Sequence, residues 1–433
     1  MANLIINGGK TLTGKINVNS AKNSAVAILC ATAMIEGKTI LCDVPMIEEV
    51  HRIIEVLTSI GLKIHWEKGK HLVITNDGDL KIKEIDKEAF LKTRSALLLM
   101  GALSSELKVF SLPKSGGCNL GKRTVNPYLI AMKEMGIKIK ETLHEYQVDA
   151  SKKKPASFTM YESGDTATEN TIMAAALTTG TTTINFASSN YMVQDLICYL
   201  KAAGANIEWS GINRLKIIGV KKLKAVENYP IMPDPIESMA FISLAITSHS
   251  HLKIIGCPID FLSLEIEKLK VMGQKLKIGK VYKSKNKFFD LVDIEVIPSK
   301  LKALADKIHP NPYPGLNIDN LPLFVPILTQ AEGQTMVHDW VYENRAIYYA
   351  ELNRLGADIT LMDPHRVIVK GISTLKPNEM VCPPALRPSI NLLICMLAAK
   401  GKSVLRNSYP IDRGYENIYE RLNALGADIK VFE

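Results

Sequence analysis

No stretch of this chain reaches the roughly 18 consecutive apolar residues that a membrane-spanning helix requires, although 47% of its 433 residues are hydrophobic. That excludes a helical membrane protein and leaves a globular one with ample core. Aromatics are scarce, at 6%. The lysine runs SKKKP at 151 and GVKKLK at 219 contain none, so they read as solvated loops rather than as a nucleic-acid face. The seven cysteines show no CxxC pair and no histidine at metal spacing, which argues against a disulfide framework and a zinc site. Six of them lie in apolar stretches and read as buried thiols. The opening MANLIINGGK lacks a charged leader and a cleavage site, so the expected compartment is the cytoplasm. The net charge of +9 leaves either a nucleic-acid partner or a small anionic substrate.

What is abundant is repetition. A helical stretch running into a glycine and an apolar tail recurs as LTSIGLKI at 57, MKEMGIKI at 132, LKAAGANI at 200, LKVMGQKL at 269, LNRLGADI at 352 and LNALGADI at 422. The glycines 61, 136, 204, 273, 356 and 426 are spaced by 75, 68, 69, 83 and 70 residues, too long for a solenoid and suited to a compact unit of several elements. Turns at Gly37, Gly180, Gly333 and Gly401 separate alanine-rich helices from β-branched runs such as TTTINFA. Each unit therefore reads strand, helix, turn, strand, helix, Gly, strand, strand. Six units divide most simply into two domains of three, with a boundary near 230 in the proline-rich ENYPIMPDPIE. A cleft between two domains is the default ligand site.

Four segments could carry chemistry. Cys118 lies in a glycine-flanked loop with Lys114, Lys122 and Arg123, where cations favour a thiolate; an ordinary turn is the alternative. Lys22 and Asn23 open an apolar helix with Asn19 or Ser20 as the expected N-cap. That suits a phosphate or carboxylate, unless the lysine is simply solvated. Asp319 follows the loop NPYPGLNIDN at a helix start, where capping competes with a general-base role. Arg413, beside Gly414 in YPIDRGYE, either reaches a ligand or forms a salt bridge where the last helix begins.

Together and in this order, these segments resemble the enolpyruvyl transferases over the full chain. Lys22 and Asn23 in NSAKNSA match the family's SGAKNAA, and Cys118 and Arg123 in SGGCNLGKRTV match PGGCxIGxRPV. Arg94 corresponds to the arginine of MRAS, Arg387 in ALRPS to that of DLRAS, and Arg413 to that of IDRGYE. Glu343, Asn344 and Arg345 correspond to ENR, and Asp319 to the aspartate twelve residues before AEG. AKNS and Cys118 place the chain nearer the amino-sugar branch, which acts on UDP-N-acetylglucosamine, than the shikimate branch, with its GSKS motif and no loop cysteine.

The resemblance implies an α/β fold of two inside-out barrels built from six βαβαββ units, with domains at 22–232 and at 1–21 plus 233–433. It implies transfer of the enolpyruvyl group of phosphoenolpyruvate to a nucleotide-sugar hydroxyl with release of phosphate, in peptidoglycan precursor synthesis, with no metal or organic cofactor and no nucleic-acid or membrane partner. Cys118 would be the acid and fosfomycin target, Asp319 the base, and Lys22, Arg123, Arg387 and Arg413 the cations around phosphoenolpyruvate. Asn23, Arg94, Arg345, Asp165 and Thr166 complete the substrate-binding set.

Departures cluster on the acceptor side. GDTATEN replaces SVGATEN at Asp165 and Thr166; SSNYM replaces REPE around Asn190; RTVNPY replaces RPVDLH at Asn126 and Pro127. PDRIE becomes PDPIE at Pro235, and the DLR aspartate becomes Ala385. A carboxylate at Asp165 would repel a diphosphate unless turned away or paired. The same transfer to another acceptor such as UMP is therefore the alternative, with a non-catalytic or nucleic-acid-binding relative behind it.

Overall fold

The protein is described from a computed structural model, which covers residues 2–116 and 124–433. Two compact units partition the chain: residues 20–116 and 124–232 form one, and residues 2–19 and 233–433 the other. The chain passes between them at 19/20 and at 232/233.

Each unit holds three sheets. In the sheet containing Gly180–Asn185, that strand pairs in parallel with Ser157–Thr159 and antiparallel with Arg214–Gly219, which pairs in turn with Asn206–Trp209. Four other sheets repeat this order of one parallel edge and two antiparallel steps. The sheet of Val109–Pro113, Lys138–Glu141 and Glu145–Asp149 has only the antiparallel part among the described residues. The six repeat glycines have φ of +106°, +77°, +97°, +88°, +84° and +101°. A side chain with a Cβ resists that region, so glycine there is what lets each helix stop and the chain turn into its strand.

Three helices sit at the centre of each unit. In the C-terminal unit Pro235–Thr247 is buried at every position, and it packs with Phe324–Leu328 and Leu386–Ala398. In the other unit Leu99–Glu106 packs on both Lys22–Ala31 and Asp165–Ala176. Helices apolar on all sides must be enclosed, and the strands around them alternate, as in Arg214–Gly219. Close approach at this centre uses Gly101, whose N–H donates to Asn170 Oδ1 at 2.7 Å. A Cβ there would lie 2.2 Å from the Asn170 carbonyl oxygen.

The first residues of the chain are structural parts of the C-terminal unit. Asn3–Gly8 lies between Gly401–Arg406 and Ile429–Phe432, and Thr13–Asn17 pairs in parallel with His251–Pro258. Asn19 N–H then donates to Glu237 Oε2 at 2.6 Å, and Glu237 is itself bound by Arg421, Nη1 to Oε1 2.6 Å. The expected capping role of Asn19 or Ser20 is not met. The helix begins at Lys22 with Ala21 as its N-cap and no side-chain capping bond, because Asn19 is engaged with Glu237 and Ser20 Oγ lies 3.5 Å from Ile231 O.

Candidate active site

In the C-terminal unit, Asp319, Arg345 and Arg387 come together. Asp319 follows an Asx turn in which its N–H donates to Asn317 Oδ1 at 2.8 Å. It does not cap the next helical turn, Leu321–Leu323, whose N-cap is Asn320. Its carboxylate instead faces two guanidiniums: Arg387 Nη2 is 3.2 Å from Oδ2, and Arg345 Nη1 is 3.7 Å from Oδ1.

Arg345 is 1% exposed and is fixed by a residue that sequence reasoning did not single out, Asp339. The two form a bidentate pair, Nε to Oδ2 2.6 Å and Nη2 to Oδ1 2.9 Å, and Nη2 also donates to Ile318 O at 2.8 Å. Tyr349 OH donates to the same Asp339 carboxylate, and the Tyr342 ring lies 4.3 Å below the guanidinium. Burial alone would lower the Arg345 pKa; Tyr349 and Asp339 outweigh it and hold the group well above its ordinary value. An acid placed six residues before an arginine is an ordinary pattern, so only the strand end at His338 and the short helix Ile347–Ala350 reveal the pairing.

Arg387 is in the first turn of Leu386–Ala398, where a cation is disfavoured by the helix dipole. Ala385, at the N-cap, supplies no side-chain cap, so the lost family aspartate is also a lost cap. Asp319 and Tyr415, whose OH accepts from Nη1 at 3.2 Å, compensate. Burial pushes Tyr415 above its usual range. Asp234 caps Pro235–Thr247 by accepting from Ile236 and Glu237 N–H at 2.7 and 3.3 Å, and burial raises it to about 6 although Arg387 pulls the other way. Pro235 occupies the first helical position, where proline is favoured, so the change from PDRIE to PDPIE has a local structural reason.

Arg413 ends the short helix Tyr409–Asp412 and is half-buried. Asp412 accepts from Tyr419 OH at 2.8 Å. A Cβ on Gly414 would meet Leu386 Cδ2 at 2.4 Å, so this turn packs directly against the residue preceding Arg387.

In the N-terminal unit, Lys22 and Asn23 start their helix half-buried, and Asn23 Nδ2 donates to Tyr191 OH at 2.9 Å. Arg94 opens the turn Arg94–Leu98 and reaches Thr124 O at 3.1 Å. Its neighbours Thr93 and Ser95 both donate to buried Glu49. Asp165 is the first residue of its helix, and its carboxylate accepts two hydrogen bonds from neutral side chains: Ser188 Oγ donates to Oδ1 at 2.6 Å and Asn190 Nδ2 to Oδ2 at 3.0 Å. Two sequence departures are thus one structural feature. Thr166 offers its carbonyl to Asn170 Nδ2 at 3.0 Å.

Cys118 and Arg123 lie outside the described residues. Of the other cysteines, five are buried and Cys198 is intermediate. Burial pushes Cys198, Cys257 and Cys382 up to about 12. Among the described residues there is no cluster of acidic, histidine or cysteine side chains able to hold a metal, and no helix long and apolar enough to cross a membrane. One lysine reading is corrected: Lys153, in SKKKP, is only partly exposed. Its Nζ donates to Ser104 O and Ser105 O at 2.8 and 3.3 Å, closing the end of Leu99–Glu106, and burial lowers it to about 8.

Comparison with known proteins agrees over the whole chain. The family described as EPSP synthase (3-phosphoshikimate 1-carboxyvinyltransferase) matches residues 6–422. A UDP-N-acetylglucosamine 1-carboxyvinyltransferase of Treponema denticola is 34% identical, covering all of both chains. UDP-N-acetylglucosamine 1-carboxyvinyltransferase 2 of Caldanaerobacter subterraneus is 33% identical over 99% of both. Among solved structures, the enolpyruvyl transferase NikO from Streptomyces tendae superposes with a TM-score of 0.87 at 24% identity, covering 100% of this chain and 99% of that one. EPSP synthase from Acinetobacter baumannii gives 0.77 at 20% with full coverage of both. These likenesses establish the two-domain inside-out α/β barrel, and the chain belongs to the EPSP synthase family of enolpyruvyl transferases.

Proposed function

We propose that this enzyme transfers the enolpyruvyl group of phosphoenolpyruvate to a hydroxyl of UDP-N-acetylglucosamine, releasing phosphate, in the cytoplasmic synthesis of peptidoglycan precursors. The observation that carries the reading is the Asp319 carboxylate held between Arg387 and Arg345, in a chain that full-length UDP-N-acetylglucosamine 1-carboxyvinyltransferases match at 33–34% identity.

The reaction is addition followed by elimination. Cys118 protonates the vinyl carbon while the acceptor oxygen bonds to C2, and Asp319 takes the acceptor's proton. Loss of a proton from the new methyl group then expels phosphate and restores the double bond. Lys22, Arg123, Arg387 and Arg413 neutralise the phosphate and carboxylate of phosphoenolpyruvate, so that the charge of the transition state is met by cations rather than by water. Arg345 contributes by orienting Asp319: its Nε and Nη2 are committed to Asp339 and Ile318, which leaves Nη1 facing the Asp319 carboxylate.

Transfer to a different nucleotide acceptor is favoured by one observation: the Asp165 carboxylate, held by Ser188 and Asn190, stands where the family pattern SVGATEN has an uncharged residue. Phosphate release from phosphoenolpyruvate, measured with UDP-N-acetylglucosamine, UMP and shikimate 3-phosphate in turn, tests both. Release with UDP-N-acetylglucosamine alone supports the main reading, release with UMP alone supports the second, and release with neither overturns the pair.

A further inference from the structure

Four of the hairpins that follow the repeat glycines make their turns within residues 68–70, 142–144, 210–213 and 364–365. The one between Lys275–Ile278 and Asp290–Ile297 takes residues 279–289. It falls inside the longest glycine spacing, from 273 to 356. The fold closes equivalent sheets with far shorter turns, so this extension is not required to complete the sheet. Added loops on a rigid scaffold are where binding functions concentrate.

The extension is one-sided in charge. It contains Lys280, Lys283, Lys285 and Lys287 and no Asp or Glu, and all four lysines are exposed. It is also firmly built. Tyr282 and Lys283 pair with Leu291 and Asp290. Ser284 N–H donates to Phe289 O at 2.9 Å and Lys287 N–H to Ser284 O at 2.8 Å, while Ser284 Oγ accepts from Phe289 N–H at 3.1 Å. Phe289 is buried, with its ring 6.1 Å from Phe261. The adjacent Phe288 is left 51% exposed, with Val281 at 61% and Tyr282 at 41%. Nearer the sheet Lys283 meets Asp290 at 2.6 Å and Lys277 meets Glu295 at 3.5 Å, while residues 284–289 at the tip carry two lysines and no acid.

We propose that this hairpin is a peripheral docking surface for an anionic phospholipid bilayer, with its lysines at the headgroup phosphates and Val281 and Phe288 entering the interface. Lysine is a compact point charge suited to a laterally mobile array of phosphates. Reading of nucleic-acid bases relies on arginine and free amides; the segment has no arginine, and Asn286 Oδ1 is used within the turn by Phe288 N–H at 3.2 Å. An exposed valine gains nothing from a polyanion in water and gains from leaving water for lipid. The absence of a long apolar run excludes a membrane span, not a surface contact.

The test is flotation of the full chain with phosphatidylcholine vesicles, with and without phosphatidylserine, at low and at physiological salt. Binding should require phosphatidylserine and weaken with salt over the range in which the Debye length shrinks to about 8 Å. The triple change Lys280→Glu, Lys285→Glu, Lys287→Glu should weaken it at least about a hundredfold, since each lysine near the surface contributes roughly fivefold. Val281→Ser with Phe288→Ser should weaken it further at high salt, with phosphate release in vesicle-free solution unchanged in every variant. No binding to phosphatidylserine vesicles, or binding indifferent to both sets of changes, overturns the proposal. Binding of a single-stranded RNA, lost in the lysine variant while vesicles are ignored, overturns it in favour of nucleic acid.

Discussion

Arg387 donates to Asp319 across 3.2 Å from the first turn of a buried helix, and Arg345 faces the other carboxylate oxygen at 3.7 Å. An acid between two arginines is held in one orientation, which suits a group that must meet the acceptor hydroxyl. Asp319→Asn preserves shape and removes that capacity. Turnover should fall about 10²- to 10⁴-fold with phosphoenolpyruvate affinity nearly unchanged, whereas Arg387→Ala should weaken phosphoenolpyruvate binding. Calorimetry and single-turnover kinetics separate the two; equal affinity losses in both variants would count against the division of roles.

Asp339 is the anchor of this arrangement. Replacing it with Asn leaves Arg345 buried without its full countercharge, a class of change that costs about 3–5 kcal/mol. Tyr349→Phe removes one hydrogen bond to the same carboxylate and should cost about 1 kcal/mol. Urea denaturation should rank the two in that order. A small loss for Asp339→Asn would show that Arg345 finds other support.

Asp195 supplies a pH dependence of stability. It is fully buried, and burial raises it to about 7 despite hydrogen bonds from Tyr229 OH at 2.7 Å and Met232 N–H at 3.2 Å. Below its unfolded pKa, near 4, both states are protonated and there is no penalty. Between that value and about 7 only the unfolded state ionises, so stability declines as pH rises, by at most about 1.4 kcal/mol per pH unit, and levels off above. Asp195→Asn should flatten this slope. Melting temperatures measured across that window check it, and parallel curves for the two proteins would remove Asp195 as the cause.

Asp165 tests the acceptor. If UDP-N-acetylglucosamine is the substrate, Asp165→Ala should tighten its binding, by about tenfold if a like-charge contact worth roughly 1.4 kcal/mol is relieved. Ser188 and Asn190 would lose their common acceptor, at a stability cost of about 1 kcal/mol. Tight wild-type binding that the change leaves unaltered would make the substitution neutral for affinity.

Cys118 should be the thiol that fosfomycin modifies, with phosphoenolpyruvate protecting it. The competing cysteines are disfavoured by burial, with Cys257 and Cys382 pushed up to about 12, far from the thiolate needed for reaction. Peptide mass spectrometry of the treated protein decides the matter, and label on other cysteines with Cys118 untouched would refute the assignment.

The architecture was legible because its signals are local and repeated. A glycine forced into positive φ at the end of a helix leaves the same mark six times, and helices buried on every face are apolar on every face. The site was legible only in part. Asp319 and Arg387 are 68 residues apart, and their adjacency came from a family pattern rather than from spacing. Asp339 was missed because its partner is set by how a strand end meets a short helix. The capping expectation at Asn19 failed because Glu237, 218 residues away, binds it instead. The bond between Asp165 and the pair Ser188 and Asn190 shows the same limit: two departures visible separately in sequence become one feature only when the chain is folded.

The strand Asn3–Gly8, held between Gly401–Arg406 and Ile429–Phe432, fixes an order of events during synthesis. This stretch is made before residues 20–232 and finds its partners, at 401–406 and 429–432, only after them. Residues 20–232 can meanwhile complete their own sheets from sequence already made. The C-terminal unit therefore closes last, across the longest loop in the molecule, and long-range pairing of this kind is slow because chain entropy must be lost before contacts form. Until then an apolar strand waits unpaired, making residues 3–8 the natural point for a chaperone to act.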